Sequence, residues 1–568
     1  MQSKPRRMLR IGYLLVILIC FFPLIPGVLG MVVPAFGFIP PLDLNVFTFA
    51  GFISALNWPG VNRAILQTIM TAIVSTFIAV IMTFAIVQAY WGRRSWYRIE
   101  KLLSPILALP HVAFAVGFLF LFSDTGWLAR FLQFIFNDTL SFIHSWFSSL
   151  YSLQDNIGVS LTLALAIKET PFLLLMSVSV LHNLKIHQTL QVTQGLGYSV
   201  PQSWWKVIFP QWLQHMRFPL FAIMAYSCSV VDVSLILGPT HPPTFAVLVW
   251  QWFNEPDLSQ LPRAAAGAFL LFVLCSLLIG FVWIIERLAL IEFRAWLSSG
   301  RHNRLALKPY FFHLIVAVSL LVIPIIILWT FAQRWSFPSL LPTFWSTRFW
   351  ISEWPYIQAT MITSVTLALL SSGVAFILAL IAHEYRGHFR FHIPMYIIAL
   401  PMLVPQLSLL FGLQITSLWI NQEHYWFWVV WAHTFFVFPY TYLALDGPWK
   451  SYPNRLSQTA VSLGVSPLKT FFLIKLRTLS SGLLFAWAMG MSVSLAQYLP
   501  TLMLGSGRVV TLTTEAVALS SGHDRRVVAL YALWQAILPF VFFSLAFIGN
   551  RILQRRNQPT YKQESRSL

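Results

Sequence analysis

Long uninterrupted runs of apolar residues dominate this sequence of 568 residues. An α-helix needs roughly 20 residues to cross about 30 Å of hydrocarbon, and many of the runs reach that length. Because a helix also satisfies its own backbone hydrogen bonds within lipid, the sequence predicts an all-α polytopic membrane protein. About 12 transmembrane helices are expected in two sets of six, near residues 11–33, 62–90, 103–122, 157–181, 216–238 and 264–285, and near residues 311–332, 357–382, 393–420, 425–445, 479–504 and 527–550.

The charged residues are few, and their positions support a membrane location. Hydrophobic residues make up 57% of the chain and charged residues 10%, whereas an average soluble protein has about 25% charged residues. The net charge of +19 could indicate nucleic-acid binding, but most Lys and Arg residues fall in the segments that alternate to one side. This positive-inside bias predicts that both termini are cytoplasmic and that nucleic acid is not a partner. The run at 11–33 is too long for a signal peptide and is predicted to be a retained first helix.

Several kinds of site are not indicated by the sequence. Cys20, Cys228 and Cys275 all lie in apolar runs, which favours neither a disulfide framework nor a metal site. The three histidines at 383–392 have neither cysteine nor clustered carboxylate beside them, so no metal site is predicted there. No GxxxxGK[ST] segment occurs, and a P-loop for nucleotide is therefore not expected. The segment 131–150 is predicted to be a helix in the membrane interface.

The sequence contains an internal duplication. Residues 191–210 read QVTQGLGYSVPQSWWKVIFP, and residues 458–477 read QTAVSLGVSPLKTFFLIKLR. Both follow the pattern Q-x-[TA]-x-x-L-G-x-S, and their glycines, Gly197 and Gly464, are 267 residues apart. Each segment lies between the fourth and fifth predicted helices of its half, on the inner side. We call them loop 191–210 and loop 458–477.

Each loop is predicted to form two short helices joined at its glycine. Gly197 and Gly464 are expected to end the first helix in the left-handed conformation, which glycine adopts without steric penalty. The serine two residues later suits the N-cap of the second helix. The small residues Thr193 and Ala460 would let this surface approach a partner closely. A helix held below the membrane in this way can serve as a lever for another protein.

The two loops resemble the EAA loops in permease subunits of bacterial ABC importers, whose pattern runs E-A-A-x-x-x-G and ends in a hydrophobic residue and proline. Gln191 and Gln458 stand where that pattern has glutamate, and Gly197 and Gly464 match its glycine. The ending at Pro210 also matches, whereas loop 458–477 lacks the proline. The glutamine in both copies removes the carboxylate with which the pattern could form a salt bridge to an ATPase.

Over nearly its whole length, the chain resembles two fused six-helix permease halves of the iron(III) and thiamine importer group, with type I architecture. The resemblance implies a first half at 1–305 and a second half at 306–568. It is most specific at 229–244 and 496–522. It also implies a separate ATPase dimer that binds ATP, a periplasmic solute-binding protein, a bacterial inner-membrane location and transport by alternating access. The residues implied to couple to the ATPase are Gln191, Thr193, Gly197, Pro210, Gln458, Ala460 and Gly464.

Four polar residues within the predicted membrane helices are candidates for a translocation path. A charge in mid-bilayer costs a few kcal/mol, so Lys168 and Glu169 should face protein or water. They either line the path or fix the packing of the two halves. Asp232 and Gln497 lie 35 and 33 residues after the loop glycines, at related depths in equivalent helices. The resemblance implies that both face the passage, where Asp232 would favour a cationic solute; a gate or packing role stays open.

Two other classes of protein remain open. A secondary transporter driven by an ion gradient would use Lys168, Glu169 and Asp232 as coupling residues, and duplicated halves occur in such proteins. An integral-membrane enzyme would need clustered catalytic carboxylates or histidines at one interface, and the sequence offers none. We therefore predict a transport permease without catalytic residues or cofactors of its own. The solute is left open among thiamine, iron(III), an anion such as sulfate and others.

Overall fold

The computed structural model of the chain describes residues 3–136, 157–292, 294–300, 310–418, 424–522 and 524–557. Most of these residues are helical, which confirms the predicted all-α class. The α-helices before residue 300 are Ser3–Cys20, Leu24–Ala35, Ala50–Leu56, Val61–Tyr90, Trp96–Ala108, His111–Phe122, Trp127–Phe136, Val159–Asn183, Ile186–Gly195, Val200–Ser203, Phe209–His215, Arg217–Ser229, Asp232–Leu237, Phe245–Phe253, Leu261–Glu292 and Arg294–Ser298. Those after residue 300 are Tyr310–Phe331, Arg348–His388, Met395–Ile398, Gln406–Ser417, Tyr425–Ser451, Asn454–Ser462, Pro467–Thr470, Leu476–Thr478, Ser480–Ala496, Leu499–Gly505, Leu512–Ser520 and Arg525–Asn557.

The remaining elements are short. There are 3-10 turns at Pro40–Leu42, Leu258–Gln260 and Leu400–Met402, π-helical turns at Trp204–Ile208 and Phe471–Lys475, and an antiparallel pair of strands at Ala332–Arg334 and Phe344–Trp345. The interfacial helix predicted at 131–150 lies outside the described residues except for its first positions, which belong to the helix Trp127–Phe136.

Nine helices of the described part of the chain are long and apolar enough to cross a membrane. A tenth span results if Pro467–Thr478 and Ser480–Ala496, which meet at 79°, count as one bent element. The nine overlap the predicted helices other than those at 216–238, 393–420 and 479–504. At 393–420 the prolines Pro401 and Pro405 interrupt the helix, because proline lacks the backbone donor that a helix interior requires. The chain is therefore multi-pass, and several of its predicted membrane helices are broken.

The internal duplication of the sequence is also a duplication of backbone structure. The helix Phe245–Phe253 has its counterpart in Leu512–Ser520 at the same 267-residue offset. Each of these helices begins at an amide that donates to a hydroxyl of a long helix: Phe245 N to Thr68 Oγ1 at 2.8 Å, and Leu512 N to Ser364 Oγ at 2.9 Å. The same local packing is thus built twice.

Helices that precede residue 300 pack against helices that follow it. Leu24–Ala35 lies against Gln406–Ser417, and Tyr310–Phe331 lies against His111–Phe122. At the first crossing the backbones approach so closely that a Cβ at Gly412 would overlap the carbonyl oxygen of Gly27. The largest cluster of buried apolar side chains contains residues from before and from after residue 300. The centre of the molecule is consequently formed by both sets of helices.

Candidate functional site

A cavity of about 470 Å³ lies at the centre of the molecule. Its volume falls within the roughly 300–1,000 Å³ of typical small-molecule sites. Lys168, Glu169, Asp232 and Gln497, the four residues proposed for the translocation path, all line it. The structure therefore brings these four residues together, although they come from helices far apart in sequence.

The cavity is shaped by two helix breaks with the same geometry. Val230 ends the helix Arg217–Ser229 with ψ at 126°, and Gln497 ends the helix Ser480–Ala496 with ψ at 125°. An extended residue cannot continue the helical hydrogen bonds, so a new short helix starts beyond it in each case. The backbone thus pairs Gln497 with Val230, whereas Asp232 is two positions further on and pairs with Leu499. Asp232 and Gln497 share a depth but are not equivalent residues.

Lys168 is held by the backbone of another helix end. Its Nζ donates to the carbonyl oxygens of Ile106 at 3.1 Å and Leu109 at 2.5 Å. These carbonyls lie where the helix Trp96–Ala108 ends and leaves acceptors without intrahelical partners. The buried ammonium therefore caps a helix C-terminus, where a positive charge is favourable. This contact supports the packing role that the sequence left open for Lys168.

Glu169 is paired with a histidine. His111 Nε2 lies 2.9 Å from Glu169 Oε1, and the His111 ring lies 4.9 Å from the ring of Tyr226. His111 was not predicted to be a site residue, because a polar residue that follows Pro110 at the start of an apolar run is typical of a helix boundary. His111 therefore gives the Glu169 carboxylate a hydrogen-bonding partner within the protein.

Asp232 begins the helix Asp232–Leu237 and faces the cavity. The backbone amides of Val233 and of Asp232 itself lie close to its carboxylate, and His111 is near enough to interact with it electrostatically. In the described ranges no side chain forms a hydrogen bond or an ion pair with Asp232. Asp232 therefore differs from Glu169, whose carboxylate is bonded to His111.

Aromatic and amide side chains complete the lining. The rings of Tyr226, Tyr440 and Tyr498 face the cavity, and the Gln406 amide donates to Gln497 Oε1 at 2.6 Å. Sequence reasoning missed the tyrosines and Gln406. One signal was present: Pro439-Tyr440 repeats Pro171-Phe172 at nearly the loop offset, and Phe172 also lines the cavity.

The hinges of the two loops have the predicted geometry. Gly197 has φ +81° and Gly464 has φ +86°, both in the left-handed region. At each hinge the amide that follows the glycine closes a Schellman motif, with Tyr198 N donating to Thr193 O and Val465 N donating to Ala460 O, each at 3.0 Å. The serines then act as N-caps: Ser199 forms a capping box, and Ser466 accepts from the Lys469 amide. Local sequence alone specified this turn.

The small residues of the two loops are buried. Thr193 and Ala460 lie against this chain itself, where their small size lets each first helix pack onto the rest of the loop. The close approach of a partner to this surface stays a prediction. Gln191 and Gln458 are exposed, Pro210 is half-buried, and the apolar side chains next to the hinges are open to solvent, with Leu196 62% and Leu463 79% exposed.

Each loop is fastened to another part of the chain by a buried lysine. Lys206 Nζ donates to Ser299 Oγ at 2.8 Å and Gly300 O at 2.7 Å. Lys475 Nζ forms an ion pair with Glu384 Oε2 at 2.6 Å. A movement of either loop would consequently be transmitted to a long helix or to the segment after it.

The histidines at 383–392 have separate surroundings. His383 is buried, with Nε2 2.9 Å from the carbonyl oxygen of Tyr442, while His388 Nδ1 contacts the backbone of its own helix. Among the described residues, no group of three His, Cys, Asp or Glu side chains is placed to hold a metal ion.

A multi-pass helical fold with a central cavity and two repeated loops is the architecture expected of a membrane transport protein. No family model matches the sequence. The chain is 31% identical, over 536 residues and 93% of both chains, to the inner membrane ABC transporter permease protein YnjC of Escherichia coli (strain K12). It is also 23% identical, over 465 residues, to the thiamine transport system permease protein ThiP of Haemophilus influenzae, covering 78% of this chain and 80% of that protein. The chain belongs to the family of inner-membrane ABC transporter permeases.

Proposed function

We propose that the chain is a fused permease, with halves 1–305 and 306–568, of an ATP-driven importer. A solute delivered by a periplasmic binding protein would pass through the central cavity by alternating access. ATP would be bound by a separate ATPase dimer that meets loop 191–210 and loop 458–477 on the cytoplasmic side, where both termini also lie. The permease itself would bind neither nucleotide nor another cofactor.

The repeated hinge geometry of the two loops carries this proposal. Both loops present an exposed leucine, Leu196 or Leu463, at the tip of a rigid glycine turn. Lys475 anchors its loop to the long helix Arg348–His388, and Lys206 anchors the other loop to Ser299 and Gly300. Two equal docking elements at a 267-residue offset suit a dimeric motor that pushes on both halves. In this arrangement Gln191 and Gln458 would contact the ATPase as neutral hydrogen-bonding groups.

Association with the ATPase tests this proposal directly. The full chain would be co-expressed with its genomic ATPase partner and purified in detergent, and bound ATPase and ATP hydrolysis would be measured. Leu463→Asp should reduce ATPase association, because it places a charge in the apolar contact. Asn454→Asp adds the same charge at an exposed helix start, where an acidic residue is tolerated, and should leave association unchanged. Purification of the chain without any ATPase, or equal behaviour of the two variants, would contradict the proposal.

An ion-gradient-driven transporter is the second candidate, because Lys168, Glu169 and Asp232 line one cavity as coupling residues would. Uptake of labelled thiamine by cells distinguishes the two mechanisms. Uptake that stops when the ATPase is inactivated and persists with an uncoupler supports the importer. The reverse pattern supports the ion-driven transporter.

A further inference from the structure

We propose that His433 is a positioning residue for transport, because its ring joins the two helices that meet at the break beside Gln497. Through this contact a movement of loop 458–477 would reach the wall of the central cavity. We call the two hydrogen bonds of the ring the His433 bridge. The role of the bridge in transport rests on the proposed import function, whereas the bridge itself is a feature of the fold.

The His433 side chain is fully buried and faces two hydroxyl groups. Its Nδ1 lies 2.9 Å from Ser494 Oγ, and its Nε2 lies 2.8 Å from Thr501 Oγ1. Ser494 belongs to the helix Ser480–Ala496, which ends at the break. Thr501 belongs to the helix Leu499–Gly505, which starts beyond it. One ring therefore bonds both sides of the break.

The protons of this network have one consistent arrangement. Ser371 Oγ lies 2.8 Å from Ser494 Oγ and donates its own proton to the carbonyl oxygen of Leu367, also at 2.8 Å. Because a hydroxyl has one proton, Ser494 donates to Ser371 and accepts from His433 Nδ1. The Nε2 of the neutral ring then accepts the proton of Thr501. Each buried group of the network is thereby satisfied.

A second pair of buried polar side chains supports the same helix end. Thr513 Oγ1 donates to the carbonyl oxygen of Leu495 at 2.6 Å, and Gln535 Nε2 donates to Thr513 Oγ1 at 2.8 Å. Leu495 lies in the last turn before Gln497, where the carbonyls of a helix have no intrahelical partner. The helix that ends at the cavity is consequently held by polar groups in addition to the His433 bridge.

The corresponding break at Val230 lacks these polar groups. Ser234 is the counterpart of Thr501 at the 267-residue offset, and its Oγ donates to the carbonyl oxygen of Val230 at 2.8 Å. Buried apolar residues replace the three polar side chains that support the second break: His433 corresponds to Ala166, or to Leu165 when the prolines of the two helices are aligned, and Thr513 and Gln535 correspond to Ala246 and Ala268. In the described ranges no side chain bonds both helices that flank Val230. The two breaks therefore share a backbone shape but differ in the side chains that hold them.

The place of the His433 bridge in the chain gives it a role in coupling. Loop 458–477 leads into the helix Ser480–Ala496, and that helix ends at Gln497, which lines the cavity. An extended residue cannot continue the helical hydrogen bonds, so the backbone alone transmits a movement poorly across the break. The His433 bridge supplies the missing connection to Leu499–Gly505 from a neighbouring helix.

The test measures hydrogen–deuterium exchange of the purified full chain in lipid nanodiscs by mass spectrometry. Backbone amides exchange faster where the local structure opens more often. His433→Leu should accelerate exchange within 495–505 by at least about tenfold, equivalent to about 1.4 kcal/mol, and should leave 228–238 unchanged. Unchanged exchange within 495–505, or equal acceleration in both segments, would overturn the bridge.

Thr501 provides a pair of variants that differ in one hydroxyl. Thr501→Val removes the hydroxyl and should accelerate exchange within 495–505, whereas Thr501→Ser keeps it and should not. Thr441→Val is the matched control, because Thr441 is also fully buried and its hydroxyl bonds the Val437 carbonyl of its own helix. If His433→Leu fails to fold, this comparison decides the question, and equal exchange in the valine and serine variants of Thr501 would overturn the bridge.

The role in transport is tested with the same variants in complex with the genomic ATPase partner. His433→Leu and Thr501→Val should lose most of the permease-dependent ATP hydrolysis and keep the bound ATPase, whereas Thr501→Ser and Thr441→Val should keep both. Unchanged hydrolysis in a variant with accelerated exchange would overturn the positioning role. If the wild-type chain binds no ATPase, the proposed import function fails and the transport role fails with it, while the exchange measurement still decides whether the bridge holds the break.

Discussion

Replacement of Gly464 by valine should weaken the coupling between the permease and its ATPase without preventing folding. Gly464 has φ +86°, and a Cβ at this position would meet no atom within 4 Å. The cost of the substitution is therefore in the backbone alone. The left-handed conformation costs a residue with a Cβ about 1–2 kcal/mol, and a β-branched residue is a clear outlier there.

The hinge can respond to the valine side chain in two ways, and the two responses cost similar amounts of free energy. It can keep its shape and carry the strain, or it can straighten and lose the hydrogen bonds from Gly464 N to Val461 O and from Val465 N to Ala460 O, both 3.0 Å. Each such bond contributes about 0.5–1.5 kcal/mol. A shift of about 1.4 kcal/mol between hinge conformations changes their ratio tenfold. Total stabilities of about 5–15 kcal/mol leave the protein folded.

The assay is ATP hydrolysis by the purified complex, together with the amount of ATPase that co-purifies. Gly464→Val should reduce the permease-dependent hydrolysis roughly tenfold. Gly464→Asn is the matched control, because asparagine tolerates the left-handed conformation and the site has room for its side chain. Gly195→Ala, at an exposed helical position of loop 191–210 with open space, should have little effect. Equal loss in the valine and asparagine variants would refute the strain argument and indicate steric exclusion of the partner instead.

Three further outcomes are expected. Gly412→Ala should lower the melting temperature in fluorescence-detected size-exclusion chromatography by overpacking against Gly27, at a cost of about 1–3 kcal/mol, whereas Gly373→Ala has open space and should be neutral; equal melting of the two would contradict the close crossing. Glu384→Gln should lower the stability of the protein by about 1–3 kcal/mol, because Lys475 loses its carboxylate partner. Adding Lys475→Met should restore most of the stability. A double variant that is no more stable than the single variant would argue against this ion pair. Reporters fused within loop 191–210 and loop 458–477 should both give a cytoplasmic signal, and signals on opposite sides would exclude a shared ATPase.

Features that depend on a few neighbouring residues could be predicted from the sequence. The hinges at Gly197 and Gly464 are set within six residues, since a glycine followed by an N-capping serine is sufficient for that turn. Membrane helices are likewise set by apolar length, because lipid requires each span to satisfy its own backbone. The duplication at a fixed offset also predicted the repeated packing that the structure contains.

Features that depend on distant residues could not be predicted in this way. A membrane helix that is apolar on every side gives no periodic signal for the face that turns inward, so the residues that line the cavity could not be read from such helices. The helix break at Val230 could not be predicted, because no glycine or proline lies beside it. Its break follows from packing against neighbouring helices.

The sequence by itself determined that the chain crosses the membrane repeatedly, that it carries a repeated segment at a 267-residue offset, and where its two hinges lie. Only the tertiary structure decided which polar groups satisfy one another. The carbonyl partners of Lys168 are 62 and 59 residues away in the sequence, and Glu169 is bonded to His111, 58 residues away. The physical reason is that a buried charge is stabilised by the donors and acceptors that the fold places beside it. Those groups come from distant parts of the sequence, so the local sequence does not identify them.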